Sequence, residues 1–151
     1  MSEMLSSASM EQLLQSWITM SMAIRGNRIV SGLSFNEMII CRILLERQEN
    51  NGPSVTATEL CQEMNLLKSQ INKLLTSMET RELIERKRSE TDKRKIDIRL
   101  TKHAEELYMH EHERIMQLIS HVCSRLGPEH AQDLTVLLRE AVAAMREAAA
   151  K

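Results

Sequence analysis

Two clusters of side chains in this sequence are of types that bind a ligand without transforming it. The first is Lys68, Ser69, Gln70, Asn72, Lys73, Thr76 and Ser77. These residues cover one face of a segment at about 67–81. Its other face, Leu67, Ile71, Leu74, Leu75 and Met78, has the spacing of a buried helical stripe. The polar face carries amides, hydroxyls and ammonium groups, with no acid before Glu79. Solvated helix faces usually mix both signs. Gln, Asn, Ser and Lys are the side chains that reach base edges and phosphates. The second cluster is Arg88, Lys93, Arg94 and Lys95 at the tip of a hairpin, where Ser89-Glu90-Thr91-Asp92 completes the turn. Ile96, Ile98 and Leu100 alternate with Asp97 and Arg99, the period of a strand. A cationic tip on a stiff ribbon can follow phosphates or enter a minor groove.

Charge is distributed to match. Residues 68–102 hold 11 Lys/Arg against 6 Asp/Glu, net +5, between two flanks of net −3 each. A local positive block in a chain of net charge −1 is the footprint of a polyanion binder. A merely solvated surface would not explain why the block coincides with the hairpin. A winged helix used only for protein contact is the rival reading, and the +5 block speaks against it.

Other chemistries find little support. There is no nucleophile motif and no Gly-rich phosphate loop, so an enzyme is not expected, and no cofactor is implied. Cys41, Cys61 and Cys123 are far apart, with no CxxC, which fits neither a disulfide framework nor a zinc ribbon and suits a reducing cytosol. Cys41 and Cys61 fall on apolar helix faces, where small buried hydrophobes are commoner than thiol sensors, and Cys123, beside Val122, is no better placed. His103, His110, His112 and His121 lie on one segment. Glu106 and His110 share a face there and could supply two metal ligands. A mixed-charge solvated face is the favoured reading, so no metal site is assigned. The first ten residues lack a signal-peptide apolar region, and no apolar run spans a membrane. The expected location is the cytoplasm.

The length of 151 residues suits one domain, 1–151. The elements that must position the two clusters are mostly helices. Leu13, Leu14, Trp17, Ile18 and Ile24 predict a helix from about Ser9, loosened at Gly26–Gly32. Ser34 and Glu37 form a capping box for a helix at about 35–48, apolar on most sides, with Leu33 able to staple onto Met38. Glu49 to Pro53 reads as a loop, and Ser54-Val55 as a short strand. Thr56 and Glu59 cap a second, short helix that ends at Asn65, a residue suited to a left-handed stop. The brevity of the next turn forces the sharp angle of a helix-turn-helix. Thr101 caps a long helix at about 102–126. Gly127-Pro128 breaks it, and a last helix runs over about 128–148. The apolar stripes of the long helices want a partner, for which a second copy of the chain is the economical choice. The closing Glu147-Ala148-Ala149-Ala150-Lys151 has the form of a helical spacer and is assigned no function. The expected fold is mainly α with a small β-hairpin wing. It comprises a DNA-binding winged-helix lobe at about 34–101 and dimerisation helices at about 9–30 and 102–148.

The order of elements, with Lys68-Ser69-Gln70-Ile71-Asn72-Lys73-Leu74, Leu83-Ile84-Glu85-Arg86 and Asp92-Lys93-Arg94 through Leu100-Thr101, resembles the MarR family of bacterial transcriptional regulators. The D-x-R-x5-L-T string is that family's wing signature. The resemblance covers about residues 10–146 as architecture and 56–101 as motif. It implies a winged-helix homodimer on a pseudo-palindromic operator, with the 67–81 helix in the major groove and Arg94 in the minor groove. It implies that Asp92 orients Arg94 through a salt bridge. It also implies a repressor released by a small-molecule effector, with a pocket between the first helices and the DNA-binding lobe that Trp17, Met20 and Met22 could line. A zinc-responsive regulator of the same fold is the alternative. Two departures stand out. Leu67 occupies a position usually held by a capping Asp or Ser, which puts the expected helix start later, at Ser69. Glu82 replaces a frequent Gly, which implies a strained or differently built turn.

Overall fold

Each helix of the winged-helix lobe starts on a local signal and stops on another. The computed structural model describes residues 5–26 and 32–150. Helix α1 spans Ser7–Gly26, two residues earlier than the periodicity predicts, and most of the Gly26–Gly32 interruption lies outside the described residues. Helix α2 (Phe35–Glu49) opens on the expected capping box. The Ser34 hydroxyl accepts the Glu37 N–H at 3.2 Å, and the Glu37 carboxylate accepts the Ser34 N–H at 2.8 Å. Ile40, Cys41 and Leu44 of α2 are buried at the centre of the core.

Helix α3 (Ala57–Met64) repeats the device with Thr56 and Glu59. It ends on Asn65, whose φ of 51° and ψ of 44° are left-handed, as its residue type predicts. Helix α4 (Lys68–Thr80) follows and buries Ile71, Leu75 and Met78 against the core. The expected start at Ser69 is corrected by one residue, to Lys68. Leu67, expected on the buried stripe, is 70% exposed. As N-cap it has an extended backbone (φ −67°, ψ 148°), so the helical period does not extend to it.

The exit from α4 explains Glu82. The Leu83 N–H donates to the Met78 carbonyl at 2.8 Å and the Glu82 N–H to the Glu79 carbonyl at 3.0 Å. These are the paired bonds of a Schellman stop, with Leu83 and Met78 both buried beside it. The residue between them must be left-handed, and Glu82 has φ 56°. The Thr101 hydroxyl donates to the Glu82 carbonyl at 2.8 Å and holds the turn in place. A residue with a Cβ is strained there. Glu82→Gly is therefore expected to raise unfolding stability by about 1 kcal/mol, the cost of a left-handed side chain less the extra chain entropy of Gly. Thermal denaturation reads the gain as a higher midpoint; an unchanged midpoint would mean the turn stores no strain.

Strands β1 (Ile84–Arg88) and β2 (Ile96–Leu100) pair antiparallel, with Ile84 opposite Leu100 and Arg86 opposite Ile98. Ile98 and Leu100 face the core, while Ile96, expected to share their face, is 52% exposed near the tip. Glu85 opposite Arg99 and Lys87 opposite Asp97 set opposite charges across the ribbon. The predicted strand at Ser54-Val55 is a single bridge from Val55 to Ile98. It covers part of the free edge of β2, and the Gln48 side chain covers another part by accepting the Leu100 N–H at 2.8 Å.

Helix α5 (Lys102–Leu126) starts where the Thr101 hydroxyl accepts the Ala104 N–H at 3.2 Å. Gly127, at φ 81°, caps α6 (Pro128–Ala149), with Pro128 in its first turn. The chain divides into two units, Met1–His112 and Glu113–Lys151. The first holds the lobe and its core. The second holds the rest of α5 and α6, and α6 buries no residue. Among the described residues, no helix is long and apolar enough to cross a membrane.

Candidate nucleic-acid interface

The packing of α3 against α4, and of α4 against β1, leaves a groove between the helix pair and the hairpin. Its volume is about 540 Å³. Lys68 and Asn72 line it from α4, Arg94 and Lys95 from the tip, and Thr56 and Thr58 from the start of α3. Members of the two clusters, Asn72 and Arg94 being 22 positions apart, thus share one concave surface. Ser69, Gln70, Lys73 and Ser77 are exposed on α4, while Arg88 and Lys93 are exposed on the hairpin. None of these six lines the groove. They extend the polar surface on either side of it.

The cations of this surface are largely unpaired; Glu59 also lines the groove, but its carboxylate is engaged by Thr56 and Arg47. Lys68, Lys73, Arg88, Lys93, Arg94 and Lys95 make no ion pair among the described residues. Glu79, the one acid on α4, lies 3.1 Å from the Arg86 guanidinium. That nitrogen (Nε) is close enough to neutralise Glu79 but is not aligned for a hydrogen bond. Another Arg86 nitrogen donates to the Thr76 hydroxyl at 3.2 Å. Arg86 therefore ties β1 to α4 and lines the groove itself. Arg86, Thr56 and Thr58 belong to the groove although neither the polar face of the helix nor the cationic tip of the hairpin includes them. For Arg86 a signal existed: Ile84 is buried, and side chains two apart on a strand share a face.

The hairpin tip is built by backbone bonds. The Ser89 N–H donates to the Lys95 carbonyl at 3.0 Å and the Lys95 N–H to the Asp92 carbonyl at 2.9 Å. Ser89 is buried, and its hydroxyl accepts the Asp92 N–H at 3.4 Å. The salt bridge expected between Asp92 and Arg94 is absent. Instead, an Asp92 carboxylate oxygen accepts the backbone N–H of Arg94 at 3.0 Å. An Asp side chain that bonds a backbone N–H two residues on forms a local turn. Asp92 thus shapes the backbone at Arg94 and leaves the guanidinium unengaged.

Gln70 is also partly committed. Its side-chain oxygen accepts the Leu67 N–H at 3.0 Å, the reverse half of a capping box whose forward half a leucine cannot make. Its NH₂ group and the second lone pair of its oxygen remain, but the bond to Leu67 restrains how the amide can turn toward a base.

Two sensing sites considered from the sequence also have a structural setting. Cys41 is fully buried, and burial, with help from the Glu37 carboxylate and against the Arg81 guanidinium, pushes its thiol up to about 12. A thiol so raised stays un-ionised at neutral pH and is a poor nucleophile. Cys61 is half-buried and Cys123 is exposed. Among the described residues, no three His, Cys, Asp or Glu gather closely enough to hold a metal ion. A cleft of about 600 Å³ lies between α1 and the start of α2, lined by Ser21, Ile24, Ser34, Phe35 and Asn36. Trp17, Met20 and Met22 are not among the described residues that line it.

Comparison with known proteins agrees with the fold. Residues 32–95 match the family model described as MarR family. No curated protein sequence matches the chain. Several solved structures are similar in fold. The PcaV transcriptional regulator from Streptomyces coelicolor, solved with its natural ligand, gives a TM-score of 0.72 at 17% identity, covering 94% of this chain and 98% of that one. The transcriptional regulator BldR from Sulfolobus solfataricus gives 0.70 at 16% identity, covering 92% and 99%. BpsR from Bordetella bronchiseptica, whose DNA binding is regulated by 6-hydroxynicotinic acid, gives 0.70 at 16% identity, covering 87% and 91%. The expected mainly helical fold with a hairpin wing is borne out.

Proposed function

We propose, from the match of residues 32–95 to the MarR family model, that the chain is a sequence-specific regulator of transcription of that family, a repressor that binds duplex DNA as a homodimer. The observation that carries this reading is the groove in which Lys68 and Asn72 of α4 meet Arg94 and Lys95 of the wing. A helix that presents amides and ammonium groups suits the base edges and phosphates of a major groove. The unpaired wing guanidinium, held on a short built turn, suits the adjoining minor groove. Two such units, one per protomer, would meet half-sites about one helical turn apart.

The long helices support the dimer. Leu13, Leu14 and Ile18 of α1 are exposed, as are Leu134, Leu138 and Val142 of α6. Monomeric proteins rarely leave such contiguous apolar stripes in water, and closed two-fold pairing is the commonest way to cover them. The cleft between α1 and α2 supports release by a small molecule. It is of the size of ligand pockets, and Ile24 and Phe35 give it apolar walls with Ser21, Ser34 and Asn36 at hand for polar contacts.

Selection of bound duplexes from a random pool tests the reading. A two-fold-related consensus should emerge. Affinity for it should fall steeply with salt, with a log–log slope of about −5 or steeper for the phosphates met by six or more cations. Failure to enrich any sequence, with binding insensitive to salt, would instead support a protein-contact module.

A further inference from the structure

The most exposed large hydrophobic side chain among the described residues is Leu67, at 70%. A lone exposed leucine is ordinary on a protein surface, but its setting is not. Most exposed large hydrophobics of the described chain belong to α1, α5 and α6. Within the winged-helix lobe only three remain: Phe35, Leu67 and Ile96. Phe35 walls the cleft beside α1, and Ile96 lines the groove under the wing. Leu67 has neither role.

Leu67 is the N-cap of α4, a position that favours Ser, Thr, Asp or Asn because their side chains satisfy a helix N–H. Leucine forgoes that bond. The chain compensates from the other direction, with Gln70 reaching back to accept the Leu67 N–H. The backbone at Leu67 is therefore fixed while its side chain stands in solvent. It stands at the leading end of the face that carries Lys68, Ser69 and Asn72. In a helix-turn-helix, the first residues of the second helix meet the base edges. In the major groove the apolar group on offer is the 5-methyl of thymine.

Resting on the DNA-binding reading, we infer that Leu67 is a specificity residue that packs on the 5-methyl group of one thymine in each half-site.

The test uses the full chain and the duplex it selects from a random pool. Deoxyuridine replaces each thymine in turn, in both half-sites together, which deletes a methyl group and keeps every base-pair hydrogen bond. The native chain should lose about tenfold in affinity at one symmetric position, two methyl contacts being removed. Leu67→Ser supplies an N-cap and should raise the thermal midpoint, so a folding defect cannot account for its binding. It should bind the thymine duplex about tenfold more weakly and show no further loss with uracil at that position. Leu67→Met, which keeps an apolar tip, should retain the uracil sensitivity. Identical uracil profiles for the native chain and Leu67→Ser would overturn the assignment and leave the DNA-binding reading standing. If no duplex is enriched, that reading falls, and this one with it.

Discussion

Replacing Arg94 with alanine will weaken binding to the selected duplex by on the order of a hundredfold, two minor-groove guanidinium contacts being lost per dimer. The thermal midpoint should move by less than about 2 °C, as for other exposed substitutions. The reason lies in what Arg94 does not touch. Its side chain makes no ion pair among the described residues, and it is exposed at the mouth of the groove. Its removal leaves no buried group without a partner. The turn that presents it is held by backbone bonds and by Asp92, none of which involves the guanidinium. Arg94→Lys should fall between, since an ammonium keeps the charge but loses the planar fork. Anisotropy titration at two salt concentrations reads both quantities, because each lost phosphate contact also flattens the salt slope. Unchanged affinity for Arg94→Ala would remove the wing from the interface.

Arg81→Ala is expected to cost about 2 kcal/mol of stability, less than a fully buried pair because Arg81 is partly exposed. The residue stands just beyond α4 and clamps three elements. Its guanidinium donates to the Glu37 carboxylate at 2.8 Å and also to the Gly32 carbonyl. The Gly32 N–H in turn donates to Glu111 of α5 at 3.1 Å. Glu37 is only 5% exposed. Without Arg81, its carboxylate would keep the Ser34 N–H as its one hydrogen-bond donor. An anion left so is far costlier than the pair is valuable. The midpoint should drop by about 6 °C for a chain of this size. The double variant Arg81→Ala with Glu37→Gln should recover part of the loss, because an amide still caps Ser34 and carries no charge to strand. If Arg81→Ala alone unfolds at the native midpoint, the clamp adds nothing to stability. If the double variant is less stable than the single, the cost did not come from the stranded charge.

The two substitutions separate two kinds of charge on one lobe. Among the described residues, Arg94 makes no ion pair. Arg81 is consumed by the fold. Both sit in the same +5 block of sequence, and composition cannot tell them apart. Net charge marks the candidate region; only burial and pairing show which of its cations the fold leaves unused.

What the sequence by itself determined is what acts over a few residues. The capping boxes at Ser34/Glu37 and Thr56/Glu59, the left-handed stop at Asn65, the inward face Ile71–Leu75–Met78 and the hairpin all stand as their local patterns predict. Caps join residues three apart, and helix and strand periods repeat within one or two turns, so propensity and spacing suffice. The tertiary structure alone decided the rest. Glu37 reads as a cap, yet it also receives Arg81 from 44 residues away. Gly32 joins Glu111 across 79 residues. Arg86 leaves the solvent to brace α4 and line the groove. Leu67 leaves the apolar stripe because an N-cap backbone is extended where a helical one was assumed. Contacts between distant residues depend on how packed elements meet, and a buried charge takes its partner from that meeting rather than from its neighbours in the chain. The elements of the interface were therefore written locally, while the choice of which side chains face outward was made by packing.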